Sequence, residues 1–182
     1  MRTAVARWYH CPVLWVKAAL SSRRVPGRTL FVASTGGHLL QAVKLAEPWS
    51  LDERRWVTFE KGNALGLLAD EHVTWAHHPT SRSLINLFRN LLLAWRTISN
   101  ERPPAVISTG SGVAVPFAVV SRLRGIPMYY VESMSRISSP SLTGRLVYPL
   151  VNRFFVQWPE MLQYFPRARY QGSAYDLRHA RD

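Results

Sequence analysis

The stretch Ser108–Pro127, STGSGVAVPFAVVSRLRGIP, constrains the fold more than any other part of the chain. Ala105-Val106-Ile107-Ser108 is a short apolar run after Pro103-Pro104 and predicts a buried strand. Thr109-Gly110-Ser111-Gly112 breaks it with residues suited to positive φ and close backbone approach. From Val113 the apolar residues recur helically to Leu123, and Pro116 falls in the first turn, where proline is tolerated. Gly125 ends that helix, and Met128–Val131 reads as a second strand. Strand, glycine loop, helix and strand make a βαβ unit. Its loop lies at a helix N-terminus, where backbone N–H groups and the dipole favour an anion.

The same order recurs upstream. Thr29–Ala33 is a compact β-type run, followed by Ser34-Thr35-Gly36-Gly37-His38 and a helix built on Leu39, Leu40, Val43, Leu45 and Ala46. The spacing is neither G-x-G-x-x-G nor a P-loop, and Gly-Gly alone says only that the turn is tight. Trp56–Phe59 and His72–Ala76 predict strands on either side of a short helix over Lys61–Ala69. Downstream, Leu142–Val151 reads as a helix, Arg153–Val156 as a strand and Glu160–Phe165 as a helical turn. The expected fold is α/β: a Rossmann-like parallel sheet with helices on both faces. It spans residues 29–172, between a basic segment 1–28 and a polar tail 173–182.

Ser83–Ser99 predicts one long helix. At about 100° per residue, Leu84, Leu87, Phe88, Leu91, Ala94, Trp95 and Ile98 share a face and read as a core stripe. Arg82, Arg89 and Arg96 fall opposite, with Ile85, Leu92 and Leu93 beside them. Two readings stand for those three apolar residues: a surface resting on anionic headgroups, or a patch covered by a neighbouring element.

The net charge of +12 is spread unevenly. Met1–Arg28 carries six basic residues and no acid, and six arginines between Glu71 and Glu132 face only Glu101. Such a surface favours polyanions: nucleic acid, anionic lipid or phosphorylated substrates. One cysteine, Cys11, excludes an internal disulfide and a cysteine metal cluster. The apolar run Pro12–Leu20 is interrupted by Lys17 and falls short of the roughly 20 residues that span a bilayer. With Trp8, Tyr9 and Trp15 it reads as an interfacial anchor or as a frayed basic tail.

Right-handed crossovers put Ser34–His38, Thr109–Val113 and Glu132–Arg136 on one rim of the sheet. That rim gathers a histidine, a carboxylate, an arginine and two glycine turns, a set able to bind a diphosphate and deprotonate a hydroxyl. Nothing there suits hydride transfer, a nucleophile elbow or a metal. His38 should face the cleft, as a structural or a catalytic group. Glu132 either binds substrate hydroxyls or satisfies nearby backbone N–H groups.

Ser34-Thr35-Gly36-Gly37-His38, the STGSG loop and VESMSRISSPSLTGRLVYPLVNRFFVQWP (131–159) together resemble one family. It is that of the acceptor-side, membrane-anchoring subunit of the two-chain UDP-GlcNAc transferase of lipid-linked oligosaccharide assembly, with bacterial proteins of the PssD type. The likeness covers about residues 30–172. The N-terminal half of MurG is a more distant likeness. The resemblance implies the N-terminal half of a GT-B glycosyltransferase, with a separate donor-binding subunit supplying the rest. The chain ends ten residues after Gly172, where a one-chain enzyme would enter its second domain, which fits that expectation.

In the reaction so implied, a hydroxyl of a polyprenyl-diphosphate-linked sugar attacks a UDP-sugar with inversion, and no cofactor is needed. His38 would be the base or position the acceptor, and Glu132 would orient the acceptor sugar. Ser34, Thr35, Gly36 and Gly37, with Thr109, Gly110, Ser111, Gly112 and Val113, would hold substrate, the second loop taking the lipid diphosphate. Ser133 would line the same site, and Arg136 would contact diphosphate or partner. Ile85, Arg89, Leu92, Leu93 and Arg96 would touch the membrane. The short, charged N-terminal segment departs from the family's transmembrane anchors, which points to peripheral attachment at the cytoplasmic face. Two other classes remain: a non-catalytic module of polysaccharide export, and a nucleic-acid-binding protein. Against the second, the basic residues interleave with Leu and Ile rather than with stackable aromatics.

Overall fold

The computed structural model describes residues 27–80 and 83–174. The expectations for the N-terminal segment, for Arg82 and for most of the polar tail lie outside the described residues. Seven parallel strands form one sheet: β1 (Thr29–Ala33), β2 (Arg54–Thr58), β3 (Val73–Trp75), β4 (Val106–Gly110), β5 (Met128–Val131), β6 (Arg153–Val156) and β7 (Arg169–Tyr170). Their order is β3-β2-β1-β4-β5-β6-β7, so the winding reverses between β1 and β4. In such sheets the crevice beyond the carboxyl ends at the reversal is where ligands bind.

Five helices connect the strands: α1 (Gly37–Ala46), α2 (Ala64–Leu67), α3 (Leu84–Glu101), α4 (Ala114–Arg124) and α5 (Leu142–Val147). Alternation along β1 decides which layer each side chain joins. Leu30 and Val32 pack with Ala94 and Ile98 of α3 and Phe117 and Ala118 of α4. Phe31 and Ala33 pack on the other face with Leu39, Ala42 and Leu45 of α1. Both faces of the central strands β1, β4 and β5 are covered, as in the interior of a parallel sheet, whereas the edge strands β3 and β7 are more open. The expected Rossmann-like architecture is observed. The helix expected over Lys61–Ala69 shrinks to the single turn of α2, and the seventh strand, only two residues long, has no counterpart among the expected elements.

The long helix α3 departs from expectation in its rotation. Its buried positions are Asn86, Asn90, Ala94, Thr97 and Ile98. Of the stripe expected in the core, Leu84 is 82% exposed, Phe88 60% and Trp95 45%. The asparagines explain the turn. Asn90 Oδ1 accepts the His77 N–H and its amide donates to the His77 carbonyl, both at 2.8 Å, while Asn86 donates to the Pro79 carbonyl at 3.0 Å. Asn90 is fully buried and Asn86 nearly so, and these bonds to the β3–α3 loop supply the partners that buried amides require. Polar residues therefore share the inner face with Ala94 and Ile98, where the stripe is buried as expected, while Leu84, Leu87, Phe88 and Trp95 face out.

Candidate functional site

The reversal in strand order brings the three expected loops side by side, at the carboxyl ends of β1, β4 and β5. After β1, Ser34 is nearly buried and Thr35 half-buried. Gly36 then takes φ 73° and ψ −139°, a region open only to glycine, and its N–H donates to Asn63 Oδ1 at 3.0 Å. α1 begins at Gly37 with no side chain capping it.

His38, in the first turn of α1, is half-buried and held by the neighbouring loop. Its Nδ1 lies 2.8 Å from the Thr109 carbonyl oxygen, and Thr109 Oγ1 donates back to the His38 carbonyl at 2.7 Å. A carbonyl can only accept, so Nδ1 carries the proton and a neutral ring has its free lone pair on Nε2. A bulge makes this possible. Val32 pairs with Ser108 and Ala33 with Gly110, which leaves Thr109 as the extra residue of β4.

Gly110, at φ 114°, has no room for a side chain, since a Cβ would meet Tyr130 Oη at 2.9 Å and the His38 ring at 3.2 Å. Ser111 takes φ 69°, a left-handed conformation unusual for a residue with a Cβ. Gly112 lies against Thr80, whose Oγ1 would be 2.9 Å from an added Cβ. Val113 is fully buried and leads into α4, which also starts without a side-chain cap.

The third loop is different. Glu132 has no exposed surface. Its carboxylate accepts from Ser133 N at 2.9 Å, from Ser141 Oγ at 3.0 Å and from Ser141 N at 3.4 Å. Ser141 in turn caps α5 by accepting the Gly144 N–H at 2.8 Å, and the carboxylate packs so closely on Gly144 that a Cβ there would overlap Oε2. Gln157 Nε2 donates to the Glu132 carbonyl at 2.8 Å. Of the two readings open for Glu132, this geometry is the second, so the expected contact with an acceptor sugar is corrected. The carboxylate is enclosed and serves the start of α5.

Beneath it, burial pushes the Tyr130 hydroxyl pKa far up and the Glu132 charge adds to this, against the hydrogen bond from Ser141 and the charge of Arg136. Tyr130 stays protonated at any ordinary pH. Ser133 is half-buried, with its hydroxyl 2.9 Å from Ser135 Oγ, and Arg136 is exposed on the rim. Sequence reasoning assigned no role to Tyr130, Asn63, Ser141 or Gly144. For the last two a signal existed: Ser141-Leu142-Thr143-Gly144 places an N-cap hydroxyl where it can accept the N–H of Gly144.

On α3, Ile85 and Leu92 are exposed beside Arg89 and Arg96, and the exposed stripe widens that patch with Leu84, Phe88 and Trp95. Leu93 is partly buried against the core, so it leaves the expected patch. Arg124 lies 5.0 Å over the Trp95 ring and adds a cation at its edge. Among the described residues no helix is long and apolar enough to cross a membrane.

A seven-stranded parallel sheet whose winding reverses between β1 and β4 is the fold of one half of a GT-B enzyme. MurG of Acinetobacter baumannii superposes with a TM-score of 0.60 at 20% identity, over 73% of this chain and 42% of that one. The UDP-N-acetylglucosamine 2-epimerase of Rickettsia bellii gives 0.65 at 11% identity, over 82% and 46%. The chain therefore spans less than half the length of either solved relative. Residues 73–174, from β3 through β7, match the family model described as oligosaccharide biosynthesis protein Alg14 like, and the chain belongs to that family. The rat UDP-N-acetylglucosamine transferase subunit ALG14 is 28% identical over 87% of this chain and 89% of its own length.

Proposed function

We propose that this chain is the acceptor-side subunit of an inverting glycosyltransferase, active together with a separate donor-binding polypeptide. The donor is a UDP-sugar, in the first place UDP-GlcNAc, and the acceptor a polyprenyl-diphosphate-linked sugar. The observation that carries the reading is the family match, whose residues supply two of the three rim loops. The relatives' name as transferase subunits supports the need for a partner.

The acceptor diphosphate lies at the Thr109–Val113 loop, beside the start of α4, which no side chain caps, with Arg136 at its edge. His38 Nε2 takes the proton of the attacking hydroxyl as the new C1–O bond forms and the bond to UDP breaks. The Thr109 carbonyl holds the ring in the required tautomer. Glu132 acts at one remove, by fixing the loop that carries Ser133 and Arg136. The exposed stripe of α3, flanked by Arg89, Arg96 and Arg124, rests on anionic headgroups and keeps the acceptor within reach.

The test is reconstitution with the donor-binding polypeptide and labelled UDP-GlcNAc. Transfer to a polyprenyl-diphosphate acceptor is expected only when both chains are present. Full turnover by this chain alone, or none by the pair, would sink the reading. His38→Ala should lower turnover about 100-fold or more while the two chains still copurify. Unchanged turnover would remove His38 from the chemistry.

A further inference from the structure

The rim loop after β5 is fastened by one later stretch of chain. Residues 134–139 are exposed and form neither helix nor strand, so little of their order comes from burial. Three side chains that follow β6 donate to backbone carbonyls there. Gln157 Nε2 donates to Glu132 at 2.8 Å, Trp158 Nε1 to Met134 at 2.7 Å and Tyr164 Oη to Ser138 at 2.9 Å. Met134 and Ser138 stand two residues on either side of Arg136, whose own N–H donates to the Ser133 carbonyl at 3.0 Å. The exposed guanidinium is thus carried by a turn held at both ends, while the Glu132 carboxylate fixes only its inner end.

Burial accounts for the first of these bonds and not for the other two. Gln157 is 3% exposed and needs internal partners, which it has in Glu132, Ser173 and Ala174. Tyr164 is 43% exposed, so its hydroxyl has water as an alternative and does not need Ser138 to be satisfied. The body of Trp158 packs on the core while its N–H reaches the loop. Neither bond is needed by the core, and each fastens the backbone beside Arg136. Tyr130 links that arginine to the glycine loop: the Arg136 charge acts on its hydroxyl, which borders Gly110. We infer that Trp158 and Tyr164 are positioning residues, holding the 134–138 loop so that Arg136 meets an anion at the rim with its backbone already ordered. The inference rests on the transferase reading for the identity of that anion, the acceptor diphosphate. It goes beyond it by naming the groups that set the loop.

Trp158→Phe and Tyr164→Phe keep an aromatic ring and delete one donor each. Trypsin cleavage after Arg136 in the purified full chain should be about tenfold faster in the double variant, with cleavage at other sites unchanged. Inorganic pyrophosphate should bind that variant about tenfold more weakly than the parent. In chains that already carry Arg136→Ala, the same two changes should alter pyrophosphate binding less than about twofold. A purely structural role would weaken binding equally in both backgrounds. In the reconstituted pair, KM for the polyprenyl-diphosphate acceptor should rise about tenfold while kcat stays within about twofold.

Cleavage after Arg136 at the parent rate, no pyrophosphate binding by the parent, or an equal loss on the Arg136→Ala background would overturn the inference. So would a fall in kcat at constant KM, which would place the two residues in the chemical step rather than in holding the acceptor. The outcome separates from that of the transferase reading. Sugar transfer by the reconstituted pair, with additive losses of pyrophosphate binding, sinks the positioning role alone. Faster cleavage and the expected non-additive losses, with no sugar transfer by the pair, sink the transferase reading alone.

Discussion

Two of the helices that start on the same rim, α4 and α5, begin in opposite ways. α5 begins at Ser141, whose hydroxyl caps the helix and whose surroundings include the buried carboxylate of Glu132. The protein has supplied its own anion there. α4 begins beyond Gly112 with no side-chain cap, and α1 begins the same way after Gly36. In both of those loops a residue sits at positive φ, Gly36 at 73° and Ser111 at 69°. On the proposed reading, the difference separates structure from function on one edge of the sheet. Where the N-terminus is filled from within, the loop is fixed. Where no side chain caps the helix, as at α4, the loop's own carbonyls take part of that role, Ser111 accepting from the Ala114 N–H at 2.9 Å and Gly112 from the Val115 N–H at 3.3 Å.

That contrast can be broken most severely at Gly144. Gly144→Ala forces a methyl into a carboxylate tied down by three donor groups, and should cost about 3 kcal/mol in urea melts. A small loss would mean that Glu132 is not locked against α5.

Ser141→Ala removes the cap and a hydroxyl donor to the carboxylate, and about 2 kcal/mol of stability should go. Pyrophosphate binding at the α4 loop should persist. Were it lost instead, the filled and open helix starts would form a single site.

Gly36→Ala comes next, at about 1–2 kcal/mol. Nothing lies within 4 Å of the added Cβ, so any loss reports backbone strain alone. An unchanged melting curve would show that the turn can relax, and that glycine is not needed there for conformation.

The smallest effect is expected at Ser111→Gly, a gain of about 0.5 kcal/mol as relief of the left-handed strain slightly exceeds the added chain entropy. Weaker pyrophosphate binding should accompany it, because the open loop is then less well ordered. A loss of stability would show that Ser111 is held by contacts worth more than its strain.

Much of the fold is legible in the residue order. β1 and β5 run over the residues expected, and the helix after the STGSG loop ends at Gly125 in a left-handed cap, as its position suggests. These features depend on neighbours in sequence: an apolar run, a residue able to take positive φ, a proline in a first turn. The rim is legible for a related reason, since parallel strands with right-handed crossovers send every strand end to one side. The orientation of α3 is not. Counting Leu and Phe as inward and Asn as outward places the stripe in the core, whereas Asn86 and Asn90 are drawn inward by backbone groups of a loop that hydrophobic periodicity does not see. Glu132 is illegible in the same way: its two readings differ only in what lies around the carboxylate.

The sequence by itself determined the layers and their order, together with the two glycine turns and the family, because each of these is written in local pattern. Tertiary structure alone decided which polar groups are consumed in holding the fold and which remain for a ligand. Glu132 is surrounded by donors nine residues away in Ser141, and His38 is oriented by Thr109 across 71 residues of chain. Whether a buried polar group is satisfied depends on those distant partners, and only the packed structure brings them within hydrogen-bonding distance.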